Sequence, residues 1–376
     1  MSAASAISAS VSRALSSFRT RGVHFLGLDV SVASTGIVLL DSRGVLAHAS
    51  SSRVPRGSSV LVAGASLSAE LIRATRARPV CATTVEDFLQ TFAAGASSSA
   101  TRFSLARING VAMYEAWRHT RAPVVPAFAT SMRAYFGLER APAAARGGVM
   151  PGGSTGDEAA DEAAEKRSRM RARASSRAAG KAAVVAFALA THPTIFEGSI
   201  RSEGGGDDVT DKADAALAAM FALAQEVEWR VLCDEDGQLF WAHVDALLPR
   251  ARVGRGGSLG ADALPAVRHA LEVLHRAALA EAAARRAVPA VEMNDGGVRA
   301  PGVGDGGGAD DTPSGPARRR SSKRTTAAAI ASVPLTVSAS AIEKLYARLR
   351  TAFSAKVNDR LMGPDGELHW RRPREL

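Results

Sequence analysis

The sequence predicts an α/β domain built on a mixed five-stranded sheet. Strands 1–3 are antiparallel, strands 4 and 5 run parallel to strand 1, helices flank the sheet, and a helical, partly disordered extension follows at the C-terminus. Three observations predict this. Residues 23–50 are three short apolar runs divided by turn signals. Two later β-branched runs are each preceded by a stretch of helical periodicity. Beyond residue 229, Ala/Arg-rich and Gly/Asp-rich segments replace the strand signals.

Val23, Phe25, Leu26 and Leu28 define the first strand, which delivers Asp29 at its end. Ser31, Ser34, Thr35 and Gly36 turn the chain, Ile37 to Leu40 return as the second strand, and Asp41-Ser-Arg-Gly44 is a turn signal before the third, Val45 to Ala49. Short loops of this kind join antiparallel neighbours. Val60, Leu61, Ala65, Leu67, Leu71 and Ile72 recur at helical spacing, giving a helix over 58–77. Pro79 to Val85 is the fourth strand, ending in Glu86. A Gly/Ser loop at 94–99 leads to a helix over 101–118, and Pro123 to Pro126 is the fifth strand. Helical crossovers before strands four and five make both parallel to strand one. A short helical stretch covers 127–138, a Pro/Gly/Ala-rich insertion lies at about 141–165, and helical patterns follow at 158–191 and 211–228. Residues 229–244 suggest a hairpin within a largely helical extension, 229–290. Residues 291–327 have the composition of a disordered linker, and 328–376 hold a last amphipathic helix and a tail.

Lys plus Arg exceed Asp plus Glu, 47 against 37, so a polyanionic partner suits the chain, nucleic acid before an anionic membrane. A basic tail that only aids solubility is the plainer alternative. Cys81 and Cys233 make neither a disulfide framework nor a zinc site. No apolar run approaches the roughly 18 residues of a membrane span. Residues 1–22 are rich in Ser and Arg and contain no acid, the composition of an organelle transit peptide for a mitochondrion or chloroplast.

Four acids fall where this topology would gather them. Asp29 ends strand one, and Glu86 ends strand four beside it. Asp211 and Asp214, three apart on one helix, point to one face. Clustered carboxylates repel one another and tolerate burial when divalent cations occupy the cluster. Two Mg²⁺ ions about 4 Å apart can clamp the attacking and leaving oxygens of a phosphodiester. Each acid also has a plainer role. Asp29 could cap a turn, Glu86 could mark an exposed strand end, and Asp211 or Asp214 could serve a helix N-terminus. Asp207 and Asp208 compete with Asp211 for the cap and for the last place in the cluster.

Four segments carry a family resemblance: Leu26-Gly-Leu-Asp-Val-Ser with Ser34-Thr-Gly, Val85-Glu-Asp-Phe88, Leu105-Ala-Arg-Ile-Asn-Gly-Val-Ala-Met113, and Asp211-Lys-Ala-Asp-Ala-Ala-Leu-Ala218. In order and spacing, over residues 23–228, they resemble the RuvC-type Holliday junction resolvases of the ribonuclease H-like superfamily, in an organellar eukaryotic version. The resemblance implies a homodimer that binds four-way junction DNA and makes paired symmetric nicks with Mg²⁺ or Mn²⁺, two ions per site. It makes Asp29, Glu86, Asp211 and Asp214 the metal-binding catalytic acids and metal-activated water the nucleophile. It also suggests an aromatic near the junction centre, for which Phe88 and Phe92 are candidates, and basic residues Arg133 and Lys181 near the scissile phosphate. The insertion at 141–165 and everything past 229 depart from the family pattern.

Lys166, Arg169, Arg173 and Arg177 fall on one helical stripe that could track a phosphate backbone or be a solvated face. Two rivals share some of these signals. A sugar-kinase or actin-like ATPase has a similar first motif but requires a second such domain and a phosphate loop, for which Gly204-Gly-Gly-Asp207 is the sole candidate. A non-catalytic DNA-binding protein of the same fold would not need all four acids.

Overall fold

The computed structural model describes residues 3–55, 57–87, 99–138, 178–197, 208–251, 260–286 and 338–361. Five strands form a single sheet of order β3-β2-β1-β4-β5: β1 (His24–Val30), β2 (Ser34–Asp41), β3 (Leu46–Arg53), β4 (Val80–Asp87) and β5 (Val124–Phe128). The pairs β1–β2 and β2–β3 are antiparallel, and β1–β4 and β4–β5 are parallel, as the connection lengths predict. The helices are α1 (Ala3–Thr20), α2 (Val60–Thr75), α3 (Ser99–Thr120), α4 (Ala129–Tyr135), α5 (described over 178–191), α6 (Asp208–Cys233), α7 (Gln238–Leu247), α8 (Leu264–Arg286) and α9 (Ala339–Leu361).

Strand β1 is covered on both faces, which explains its nearly unbroken apolar run. Its even positions, Leu26 and Leu28, join Ile37, Leu39, Val85, Leu67, Leu71, Ala112 and Ala116 in the core beneath α2 and α3. Its odd positions turn to the other face. There Phe25 meets Phe18 of α1 edge-on, ring centroids 5.3 Å apart, and Gly27 lies against α6. Because side chains alternate along a strand, Asp29 falls on the α6 face.

Helix α6 is buried through most of its length by small side chains, among them Ala213, Ala215, Ala216, Ala218 and Ala219. Its backbone touches the sheet directly. A Cβ on Gly27 would lie 2.0 Å from the Ala215 carbonyl oxygen and 2.3 Å from the Ala219 nitrogen, and one on Gly36 would lie 2.1 Å from the Asp211 carbonyl oxygen. Two glycines on neighbouring strands therefore form the seat of the helix.

Helix α1 also belongs to this core: Ile7, Val11, Ala14, Leu15 and Phe18 are buried, and the Arg230 guanidinium of α6 stacks over Phe18 at 4.6 Å. Ser10 and Arg13 donate to Asp234. The hairpin expected over 229–244 is corrected. Helix α6 continues to Cys233, a 3-10 turn spans Asp234–Gly237, and α7 follows. Phe240, Val244 and Leu248, four apart, are all buried, which is a helical spacing.

The chain divides into two compact units, Met1–Phe240 with Phe353–Leu376, and Trp241–Ala352. In the first, the end of α9 places Phe353 edge-on to Phe240, and Ser354 donates to Glu228 at 2.7 Å. In the second, Arg268 lies 4.1 Å over the Trp241 ring and donates to Asp245 at 2.6 Å. No helix among the described residues is long and apolar enough to cross a membrane.

Candidate metal centre

Three of the four predicted acids converge. The register pairs Leu28 with Val85, so Asp29 and Glu86 leave the ends of adjacent parallel strands side by side. Val85 joins the core under α2 and α3, which puts Glu86 on the α6 face with Asp29. Asp214 meets them from α6, at a height fixed by the contacts at Gly27 and Gly36. One carboxylate oxygen from each of Asp29, Glu86 and Asp214 lies within 4.8 Å of the other two. An octahedral Mg²⁺ holds oxygens at about 2.1 Å, so its ligand oxygens lie roughly 3 to 4 Å apart. Small side-chain rotations would therefore close this trio on an ion.

Asp211 stands one turn earlier on α6. Its carboxylate accepts from the Ser34 hydroxyl at the start of β2, and Ser31 in turn donates to the Ser34 carbonyl at 2.8 Å. It lies outside the trio but adds to the negative field on both Asp29 and Glu86. Asp208 is engaged elsewhere. It accepts from Ser51 and pairs with Lys212 at 3.3 Å and Arg53 at 3.7 Å, which turns its carboxyl toward β3.

The electrostatics match a site short of positive charge. Burial, then the charges of Glu86, Asp214 and Asp211, raise the Asp29 carboxyl well above its ordinary range, and Lys181 works in the opposite direction. Burial, then Asp214, push Glu86 up to about 8 against the pull of Arg133 and Lys181. Burial also raises Asp211, opposed by the Ser34 hydroxyl. The Glu86 Oε2 atom is enclosed and has no hydrogen-bond partner, although the Glu86 carbonyl is held by the Asn109 amide of α3 at 3.0 Å. Three carboxylates gathered in this way are the donor set of a hard dication such as Mg²⁺ or Mn²⁺, and among the described residues no nitrogen or sulfur ligand joins them to favour zinc.

Arg133, expected near the scissile phosphate, lies beside this cluster: its Nη2 donates to Asp214 Oδ1 at 3.0 Å. Lys181 lies on α5 with its side chain exposed. Phe88, Phe92, Lys166, Arg169, Arg173, Arg177, Asp207 and the Gly204–Asp207 loop lie outside the described residues. Sequence reasoning missed the supporting residues: Ser34 on Asp211, Asn109 on Glu86, and the glycine seat for α6. A glycine inside an apolar strand marks close backbone approach, so Gly27 was the one available signal.

No protein-family model matches the chain, and no curated protein matches it. Among solved structures it is similar to Thermus thermophilus RuvC, at 13% identity and a TM-score of 0.29, covering 53% of this chain and 94% of that one. It is also similar to T. thermophilus RuvC in complex with a Holliday junction substrate, at 12% identity and a TM-score of 0.26, covering 30% of this chain and 69% of that one. At such scores neither likeness decides what this chain does, which rests on the side chains described above.

Proposed function

We propose that this protein is a metal-dependent, structure-selective DNA endonuclease that resolves four-way junctions by phosphodiester hydrolysis, giving paired symmetric nicks. The observation that carries the reading is the meeting of Asp29, Glu86 and Asp214 within 4.8 Å of one another at one end of the sheet. A dication held there supplies Lewis acidity toward a phosphate oxygen and a hydroxide-like water at neutral pH. Asp29 and Glu86 would hold the ion from the sheet, and Asp214 would hold it from α6. Asp211, whose carboxylate accepts from Ser34, would carry a second ion or its water. The enclosed setting strengthens each of these contacts by limiting competition from solvent.

The basic excess of the chain supports DNA as the polyanion. Arg133 and Lys181 are proposed phosphate contacts, Lys166, Arg169, Arg173 and Arg177 a backbone-tracking stripe, and Phe88 a stacking residue at the junction. Junction selectivity is proposed from the four motifs similar to RuvC-type resolvases. A homodimer is proposed through the outer faces of α2 and α3, where Leu61, Ile72, Phe103 and Tyr114 stand exposed. The acid-free segment 1–22 is proposed to address the protein to a mitochondrion or chloroplast. Since α1 also supplies core side chains, that signal would be read before folding. The ATP-dependent phosphotransferase alternative requires a second sheet domain, and the described residues contain a single five-stranded sheet.

The test is an incision assay comparing a labelled four-way junction with a linear duplex, with and without Mg²⁺. The expected result is metal-dependent cleavage of the junction, abolished by Asp29→Asn or Glu86→Gln, with junction binding retained or tightened. Full activity in either variant would reject the site. ATP-dependent phosphoryl transfer without incision would favour the kinase-like alternative.

A further inference from the structure

We infer that Arg133 is an internal counter-ion that competes with the metal for Asp214, and so sets the affinity of the acidic cluster for its dication. The inference rests on the metal-centre reading above. The Arg133 Nη2 to Asp214 Oδ1 contact is 3.0 Å, and the side chains are 19% and 6% exposed, so water screens the pair poorly. Asp214 is also one of the three acids that converge on the candidate ion position. Among the described residues, the carboxylates of Asp29, Glu86, Asp211 and Asp214 are faced by Arg133 and Lys181, with Arg53 also acting on Asp211. An arriving dication therefore enters a site already partly neutralised, and a guanidinium stands on one of its ligands.

The position of the guanidinium is built but not locked. Gly180 of α5 leaves room beside it: a Cβ there would lie 3.6 Å from Arg133 Nη1. The Arg133 Nε is buried without an acceptor. A guanidinium satisfied on every donor would be costly to displace, whereas one holding its place chiefly through Asp214 can swing away when an ion takes that carboxylate. A fixed charge within about 4–6 Å changes the protonation equilibrium of a neighbouring carboxyl by roughly one to three powers of ten. A dication competing for the same carboxyl should respond at least as strongly.

The experiment is a Mn²⁺ titration of the full chain without DNA, by calorimetry and by the spin resonance of free Mn²⁺, for wild type, Arg133→Gln and Arg133→Lys. Arg133→Gln should bind Mn²⁺ roughly tenfold more tightly or better, while Arg133→Lys, which keeps the charge, should stay within a few-fold of wild type. As a second readout, Mn²⁺ should raise the melting temperature of Arg133→Gln more than that of wild type. Equal or weaker Mn²⁺ binding by a folded Arg133→Gln, or no larger thermal response, would overturn the role of Arg133. Failure of wild type to bind Mn²⁺ at all would instead overturn the metal centre, and this inference with it.

Discussion

Replacing Glu86 by glutamine should stabilise the metal-free protein at alkaline pH, although it removes a proposed metal ligand. The Glu86 carboxyl is raised from 4.5 to about 8, chiefly by burial and then by Asp214. For an acid whose folded value lies above its unfolded one, the native state holds the proton longer. Its unfavourable contribution is absent below 4.5, grows as pH rises through the interval, and is complete above about 8. At ~1.4 kcal/mol per pH unit this interval sets a ceiling of about 5 kcal/mol. Because Glu86 shares the repulsion with Asp29 and Asp214, about 2 to 5 kcal/mol is expected. At roughly 2–4 °C per kcal/mol for a domain of this size, the shift in melting temperature is about 4–20 °C. The assay is thermal unfolding by circular dichroism at pH 5 and pH 8, in chelator and then in Mg²⁺. Wild type in chelator should lose stability between these pH values and regain it with Mg²⁺. Glu86→Gln should lose less and respond weakly to the ion. Taking the difference between the two proteins cancels the groups that do not interact with Glu86 and leaves Glu86 together with its interacting neighbour Asp29. If Glu86→Gln in chelator at pH 8 melts at or below wild type, the picture of a carboxylate held against its neighbours is wrong.

Gly27→Ala should displace α6, because its Cβ would meet the Ala215 carbonyl oxygen at 2.0 Å. A cost of about 3 kcal/mol or more and weakened Mn²⁺ binding are expected, read by denaturant unfolding and titration. Phe18→Ala should cost about 3–5 kcal/mol in denaturant unfolding, since Phe18 is fully buried between Phe25 and Arg230. Deleting residues 1–22 should be at least as damaging, and unchanged stability would show that α1 is dispensable. Asp208→Asn should leave Mn²⁺ affinity nearly unchanged. Burial alone would raise the Asp208 carboxyl, but the Ser51 hydroxyl and Lys212 outweigh it and hold it below its ordinary value. Its stabilising effect is therefore present above pH 3.8 and lost as pH falls, so the variant should differ from wild type at pH 7 more than at pH 3.

The sheet was legible because its signals are local. Short apolar runs in β1 and β2, turn residues at 31–36 and 41–44, and crossover lengths before β4 and β5 suffice to set strand directions. Asp29 and Glu86 were legible for the same reason, as charges at the ends of apolar strands. The hairpin misread at 229–244 shows the limit: a few apolar and β-branched residues fit either periodicity, and burial of Phe240, Val244 and Leu248 along one helical line decided it.

By itself, then, the sequence determined the strands, their directions and the acids at their ends, because each depends on neighbours a few residues away. Only the tertiary structure decided which acids meet. Asp214 joins Asp29 and Glu86 while Asp208 is drawn off by Arg53 and Lys212, because the height of α6 on the sheet is set by backbone contact at Gly27 and Gly36. The same holds for Arg133, placed on Asp214 by a helix 81 positions away in the chain. Such long-range placements depend on packing, which no local pattern of residues records.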